Sequence, residues 1–152
     1  MASTIRYKFS QKFNFPARRA YRWLVDYDSE DLSLMGDVGR RSIEKISIDK
    51  VILDDTYYKG KNRIRKRKFV QLYPDRMMWV STHLIGPTMY SQFFYEIFPE
   101  GKNASRLDFT GMQTYHGRNK SAQQIAQLAT KLRTVDSGAW KKLAKEMEKD
   151  LG

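Results

Sequence analysis

The sequence predicts an α+β domain: one strand, two short helices, six further strands in antiparallel hairpins, and one long C-terminal helix. Three observations carry this. Residues 5–15 alternate apolar and polar with a period of two; segments rich in β-branched and aromatic residues fill Arg41 to His116 with only short turn sequences between them; and an apolar stripe recurs at three- and four-residue steps from Ile125 to Leu151.

In the first strand Ile5, Tyr7, Phe9, Phe13 and Phe15 alternate with Arg6, Lys8, Ser10, Lys12 and Asn14, the pattern of a sheet with one buried face. Pro16 then suits a helix start, and Ala17, Ala20, Tyr21 and Leu24 share one face of a short helix whose outside carries Arg18, Arg19 and Arg22. A second short helix is expected from Ser29 to Met35, ending near Gly36. The segments SIEKISI, KVILDDTYY, RIRKRKFVQLY, MMWVSTHLI, MYSQFFYEIF and SRLDFTGMQTY follow. KGKN, PD, GP and PEGKN punctuate them, and such short turns join neighbours as antiparallel hairpins. Ser121 and Gln124 match a capping box, and the stripe Ile125, Leu128, Leu132, Val135, Ala139, Leu143, Met147, Leu151 keeps phase across Gly138. One long helix is expected, with Gly138 the place for any kink, and a large antiparallel sheet is the only surface available to cover it.

At 152 residues, the chain is long enough for one domain, 1–152, with its own core. There is no cysteine, so disulfides, zinc–thiolate sites and thiol nucleophiles are excluded. The N-terminal MASTIRYKFSQKF has no continuous apolar core, and no apolar run approaches a bilayer span, so a cytoplasmic protein without a transmembrane segment is expected. The net charge of +11 favours anionic partners, or serves solubility.

The stretch FNFPARRAYRWLVDYD, a strand running through Pro16 into a short Trp-containing helix, and the terminal helix WKKLAKEMEKDL resemble the START-like (SRPBCC) superfamily, which includes polyketide cyclase/dehydrase, coenzyme Q-binding and Bet v 1-like proteins. The resemblance spans the whole chain and is architectural. It implies a helix-grip fold, a seven-stranded antiparallel sheet curved around the C-terminal helix, with a hydrophobic ligand cavity in the gap. The glycine-rich loop of the Bet v 1 branch is absent, so that branch's ligands are not carried over.

If Gly86-Pro87 forms a two-residue loop, Ile85 faces Thr88 and Val80 pairs with Phe93. That places Val80, Thr82, Leu84, Met89, Ser91, Phe93, Tyr95 and Ile97 on the inner face. Leu107, Phe109, Gly111, Gln113 and Tyr115 form the matching set on the last strand. A bulge would flip any of these faces. In the run KGKNRIRKRKF seven of the ten residues from Lys59 to Lys68 are cationic. Arg63, Arg65 and Arg67 are expected outside, while Lys66 and Lys68 join Ile64, Val70 and Leu72 inside. A buried ammonium needs a carboxylate, an anionic ligand or access to water. The candidate ligand-binding set is therefore Lys66, Lys68, Val70, Val80, Thr82, Leu84, Ser91, Phe93, Tyr95, Phe109, Gln113 and Tyr115, with Leu128 and Leu132 from the helix.

The chain has no P-loop, HExxH pair, GxSxG elbow or GxGxxG, and neither a cofactor nor a metal is expected. His83 is expected on the outer face and His116 at a strand end, so no catalytic residue is assigned; Asp54-Asp55 reads as a turn or bulge feature. The function expected is binding or carriage of a hydrophobic or amphipathic molecule (a lipid, isoprenoid or polyketide-like compound), anionic if the lysines take part. A cyclase/dehydrase-type enzyme using Tyr95, Tyr115 or a cavity lysine is the alternative within the fold. Outside it, the basic and aromatic face of Arg63, Arg65, Arg67 and Trp79 could dock an acidic protein or stack single-stranded nucleic acid.

Overall fold

A computed structural model describes residues 2–28 and 30–152. The elements in chain order are β1 (Ala2–Phe13), α1 (Ala17–Leu24), α2 (Asp31–Leu34), β2 (Gly39–Ser47), β3 (Lys50–Lys59), β4 (Asn62–Tyr73), β5 (Met78–Ile85), β6 (Gln92–Pro99), β7 (Ser105–His116) and α3 (Ala122–Leu151). Of the second helix expected from Ser29, residues 31–34 are helical and Ser29 lies outside the described residues. The seven strands form one antiparallel sheet in the order β1-β7-β6-β5-β4-β3-β2, and the chain has the helix-grip α+β fold. Consecutive hairpins build β2 to β7. The α1–α2 segment carries the chain from β1, beside β7, to β2 at the opposite edge.

The alternation in β1 does what it predicts: Ile5, Tyr7 and Phe13 are buried while Arg6, Lys8 and Lys12 face solvent. α3 runs unbroken across Gly138. It is capped as expected, the Ser121 hydroxyl accepting from the Gln124 amide at 3.1 Å and the Gln124 side chain accepting from the Ser121 amide at 2.9 Å. Its Trp140, Leu143 and Met147 seal the core, where Trp79 stacks on Tyr95 at 4.8 Å between ring centroids and Trp140 lies 5.7 Å from Tyr95. Among the described residues no helix is long and apolar enough to cross a membrane.

One register differs from expectation, and a single residue causes it. β5 pairs with β6 as Trp79 with Tyr95, Ser81 with Phe93 and Thr82 with Gln92, one residue away from the pairing of Val80 with Phe93. The amide of Tyr90 donates to the His83 carbonyl, while the His83 amide donates to the Ser91 carbonyl. Two residues therefore oppose one, a bulge in which Tyr90 adopts φ 74, the left-handed region. The extra residue leaves the β6 face as expected and inverts that of β5. Trp79, Ser81 and His83 point inward, whereas Val80 and Thr82 turn outward. Leu84 is exposed, at a second irregularity where Arg67 pairs with Ile85 and Lys68 with His83. Trp79 is thus no part of an outer partner face; it is 3% exposed in the aromatic core.

Candidate functional site

A cavity of about 480 Å³ lies between the inner face of the sheet and α3, flanked by the α1–α2 segment through Tyr27, Leu34 and Met35. That volume suits one drug-sized ligand. Leu53, Val70, Trp79, Phe93, Phe109 and Trp140 give it an apolar wall. Arg41, Tyr57, Lys66, Lys68, His83 and Asp136 are among the polar residues on its remaining wall, and Asp26, Asp28, Glu30, Asp31, Asp37 and Asp150 also line it.

The polar side is organised around Asp55, whose side chain is 0% exposed. Arg41 grips it with two parallel hydrogen bonds, Nε to Oδ1 at 2.8 Å and Nη2 to Oδ2 at 2.9 Å. Lys68 Nζ donates to Oδ2 at 2.8 Å and to the Tyr57 hydroxyl at 2.9 Å, and Tyr57 in turn donates to Oδ2 at 3.2 Å. Arg41 Nη1 also reaches Asp31 Oδ2 at 3.3 Å, so two cations meet two carboxylates. Burial opposes ionisation of Asp55, but the Arg41 hydrogen bonds and the charges of Lys68 and Arg41 outweigh it and hold the carboxyl at about 2. Asp55 is therefore not a turn feature. It sits in the middle of β3 opposite Lys66 in the ladder, while its neighbour Asp54 faces outward and binds Arg65 at 3.0 Å.

Lys66 is different. It projects from the same face of β4 as Lys68, and its ammonium lies 5.3 Å from the centroid of the Tyr57 ring. Among the described residues no carboxylate lies within ion-pair distance of it. Burial, the charge of Lys68 and that of Lys59 push its ammonium down to about 8. On the helix side of the cavity stands Asp136, which accepts a hydrogen bond from the Tyr7 hydroxyl. Gly111 makes this contact available: it sits opposite Tyr7 in the β1–β7 ladder, and a Cβ there would stand 2.6 Å from the Tyr7 ring. Burial raises the Asp136 carboxyl, although the Tyr7 hydrogen bond acts in the other direction. His83, brought inward by the bulge, meets Thr88 Oγ1 through Nδ1 at 2.8 Å. Burial and the nearby lysines lower it to about 3, so its ring is neutral across the physiological range.

Of the residues expected to line the cavity, Lys66, Lys68, Val70, Phe93, Tyr95, Phe109 and Gln113 are on its wall. Val80, Thr82 and Leu84 are not, because of the bulge. Ser91 is fully buried and structural, accepting from the Thr114 amide at 2.8 Å. Tyr115 sits farther along β7, its hydroxyl accepting from Gln113 at 3.1 Å. Leu128 and Leu132 lie too near the start of α3, and the helix meets the cavity later, through Val135, Asp136, Ala139, Trp140 and Leu143. Arg41, Asp55, Tyr57, Tyr7, Asp136 and His83 were not in the expected set. Two had a signal in the sequence. A two-residue turn at Gly60-Lys61 places Asp55 across from Lys66, and Asp136 is a lone carboxylate beside the apolar stripe of the helix. Among the described residues no group of His, Cys, Asp and Glu is placed to hold a metal ion.

No protein-family model matches the chain, and no curated protein matches it. Solved structures do. The ZhuI aromatase/cyclase from Streptomyces sp. R1128 superposes with a TM-score of 0.81 at 10% identity, covering 99% of this chain and 97% of that one. Norcoclaurine synthase from Thalictrum flavum, in complex with dopamine and hydroxybenzaldehyde, gives 0.71 at 11% identity over 99% and 90%. A START superfamily protein from Mycobacterium smegmatis gives 0.71 at 11% identity over 94% and 99%. At such identities the likeness shows the fold, and the fold of this chain is that of the START-like (SRPBCC) and Bet v 1-like helix-grip proteins.

Proposed function

We propose that the chain binds an amphipathic small molecule in the cavity between the sheet and α3, with an apolar body against Val70, Phe93 and Phe109 and an anionic head at Lys66. The observation that carries this is the asymmetry between the two inward lysines. Lys68 is neutralised by Asp55 at 2.8 Å, which removes it from the pair first expected to meet an anion. Lys66 lines the same cavity with no carboxylate within ion-pair distance among the described residues. Taking an ammonium out of water without a counter-ion is unfavourable, and a bound carboxylate or phosphate would reverse that cost. Native mass spectrometry of the chain purified from its own host is expected to find a lipid-, isoprenoid- or polyketide-like acid retained through purification. Reproducible absence of ligand, together with failure to take up added amphipathic acids, would contradict the reading.

A second reading, catalysis of the cyclase/dehydrase type, is favoured by one further observation. The cavity holds a carboxyl raised by burial, Asp136, and an amine lowered to about 8, Lys66. Groups displaced toward neutrality from opposite sides make an acid–base pair. Turnover lost in Asp136→Asn while ligand affinity is kept separates this reading from simple carriage.

A further inference from the structure

Antiparallel pairing brings four chain segments to one end of the sheet: the approach to β2, the β3–β4 turn, the β5–β6 loop and the β7–α3 connection. The first acidic residue of the chain is Asp26, and these four segments hold one carboxylate, Asp37. They carry Arg40, Lys59, Lys61, Arg63, Arg118 and Lys120. None of these cations has a carboxylate within ion-pair distance among the described residues. The start of α3 lies at this end as well, adding the positive pole of a 30-residue helix. The opposite end is mixed in charge: Asp49, Asp75 and Glu100 lie in its turns, and Glu146, Glu148 and Asp150 at the end of α3.

Apolar side chains stand exposed among the cations. Val38 is 70% exposed, Tyr90 67%, and Leu84 and Ile85 42% each. Tyr90 is the more telling because it holds the left-handed backbone at φ 74, where Gly or Asn fits with less strain, yet presents its ring to solvent, edge-on to His116 with 6.0 Å between ring centroids. The cavity reaches this end through Lys59 and Ile64.

We infer that this end of the sheet docks on a phospholipid surface bearing anionic headgroups, Val38, Leu84, Ile85 and Tyr90 entering the headgroup layer and the six cations meeting lipid phosphates. A nucleic acid would reward the cations but leave the apolar side chains in water. A lipid surface rewards both. The docking does not depend on the ligand reading above; it places the cavity beside the phase in which amphipathic molecules are dissolved.

The test is flotation of the full chain with phosphatidylcholine vesicles that contain or lack phosphatidylglycerol. Binding is expected only with the anionic lipid, weakening as salt rises. The triple variant Val38→Ser, Ile85→Ser, Tyr90→Asn and the double variant Arg118→Glu, Lys120→Glu should each lower partitioning by about tenfold or more. Ile48→Ser, at the exposed β2–β3 turn of the opposite end, should not change it. Thermal melts of the variants confirm that they fold. Titration with a soluble amphipathic acid should be unchanged in them, because none of the substituted residues lines the cavity; failure of docking is thereby distinguished from failure of the ligand reading. Equal binding to uncharged vesicles, wild-type partitioning of folded variants, or loss of vesicle binding to competing single-stranded RNA while the apolar variant binds as wild type would overturn the inference, the last pointing to nucleic acid instead.

Discussion

Asp55→Leu is expected to destabilise the chain by about 3–5 kcal/mol, a large fraction of the total stability of a domain of this size. The carboxylate is fully buried and accepts from Arg41 twice, from Lys68 and from Tyr57. Without it, Arg41 retains only Asp31 at 3.3 Å, and Lys68 is left as a buried ammonium beside a second cation. Adding Lys68→Met should restore more than half of the loss, because the pair that remains, Arg41 with Asp31, is neutral. Urea denaturation of the two variants reads both effects. A single variant as stable as wild type would mean that the network is open to water. The same network sets an acid limit. The Asp55 carboxyl is held at about 2 against 3.8 for the free group, so its contribution is complete above 3.8 and is lost as pH falls toward 2.

Affinity for an amphipathic acid should be level with pH up to about 8 and then fall by about tenfold per pH unit, as Lys66 loses its proton. The sign follows from the group: the ammonium attracts the bound anion and the neutral amine does not. Binding raises the ammonium's proton affinity, so uptake of the acid near and above this pH should be accompanied by uptake of protons from buffer. An alcohol of the same chain length has no head charge and should bind equally across the range. A solvated lysine would keep its charge, and the acid its affinity, to about 10.5. Acid affinity unchanged through the range between these values would show that Lys66 does not hold the head.

The frame of this molecule was readable because its signals repeat. Five apolar side chains alternating through Ile5 to Phe15, six hairpin segments with short turns, and the phase of the helical stripe from Ile125 to Leu151 each leave little freedom, and the Ser121–Gln124 cap marks where that helix begins. The outward arginines Arg63, Arg65 and Arg67 and the inward Lys66 and Lys68 were readable too, since strand alternation in β4 is not interrupted before the bulge opposite it. The inner face of β5 was not. It depends on whether Tyr90 is accommodated in a two-against-one bulge, and Val80, Thr82 and Leu84 look more apolar than the Trp79, Ser81 and His83 that the bulge turns inward. Buried charge misled in another way. Asp55 has the sequence context of a turn, and only its three partners, from β2, β3 and β4, make its burial tolerable. Such a site is formed by pairing across the sheet, which local propensity does not report.

The most direct measurement is calorimetric titration of a fatty acid and the fatty alcohol of equal chain length, near neutral pH, against wild type and Lys66→Met. A charge-assisted hydrogen bond shielded from water contributes about 1.5–3 kcal/mol, or about one to two decades in Kd. The expected result is a preference for the acid of that size in wild type and none in Lys66→Met, with alcohol affinity alike in the two proteins. Equal binding of acid and alcohol by wild type, or a preference for the acid that survives in Lys66→Met, would contradict the assignment of Lys66 as the site of the anionic head.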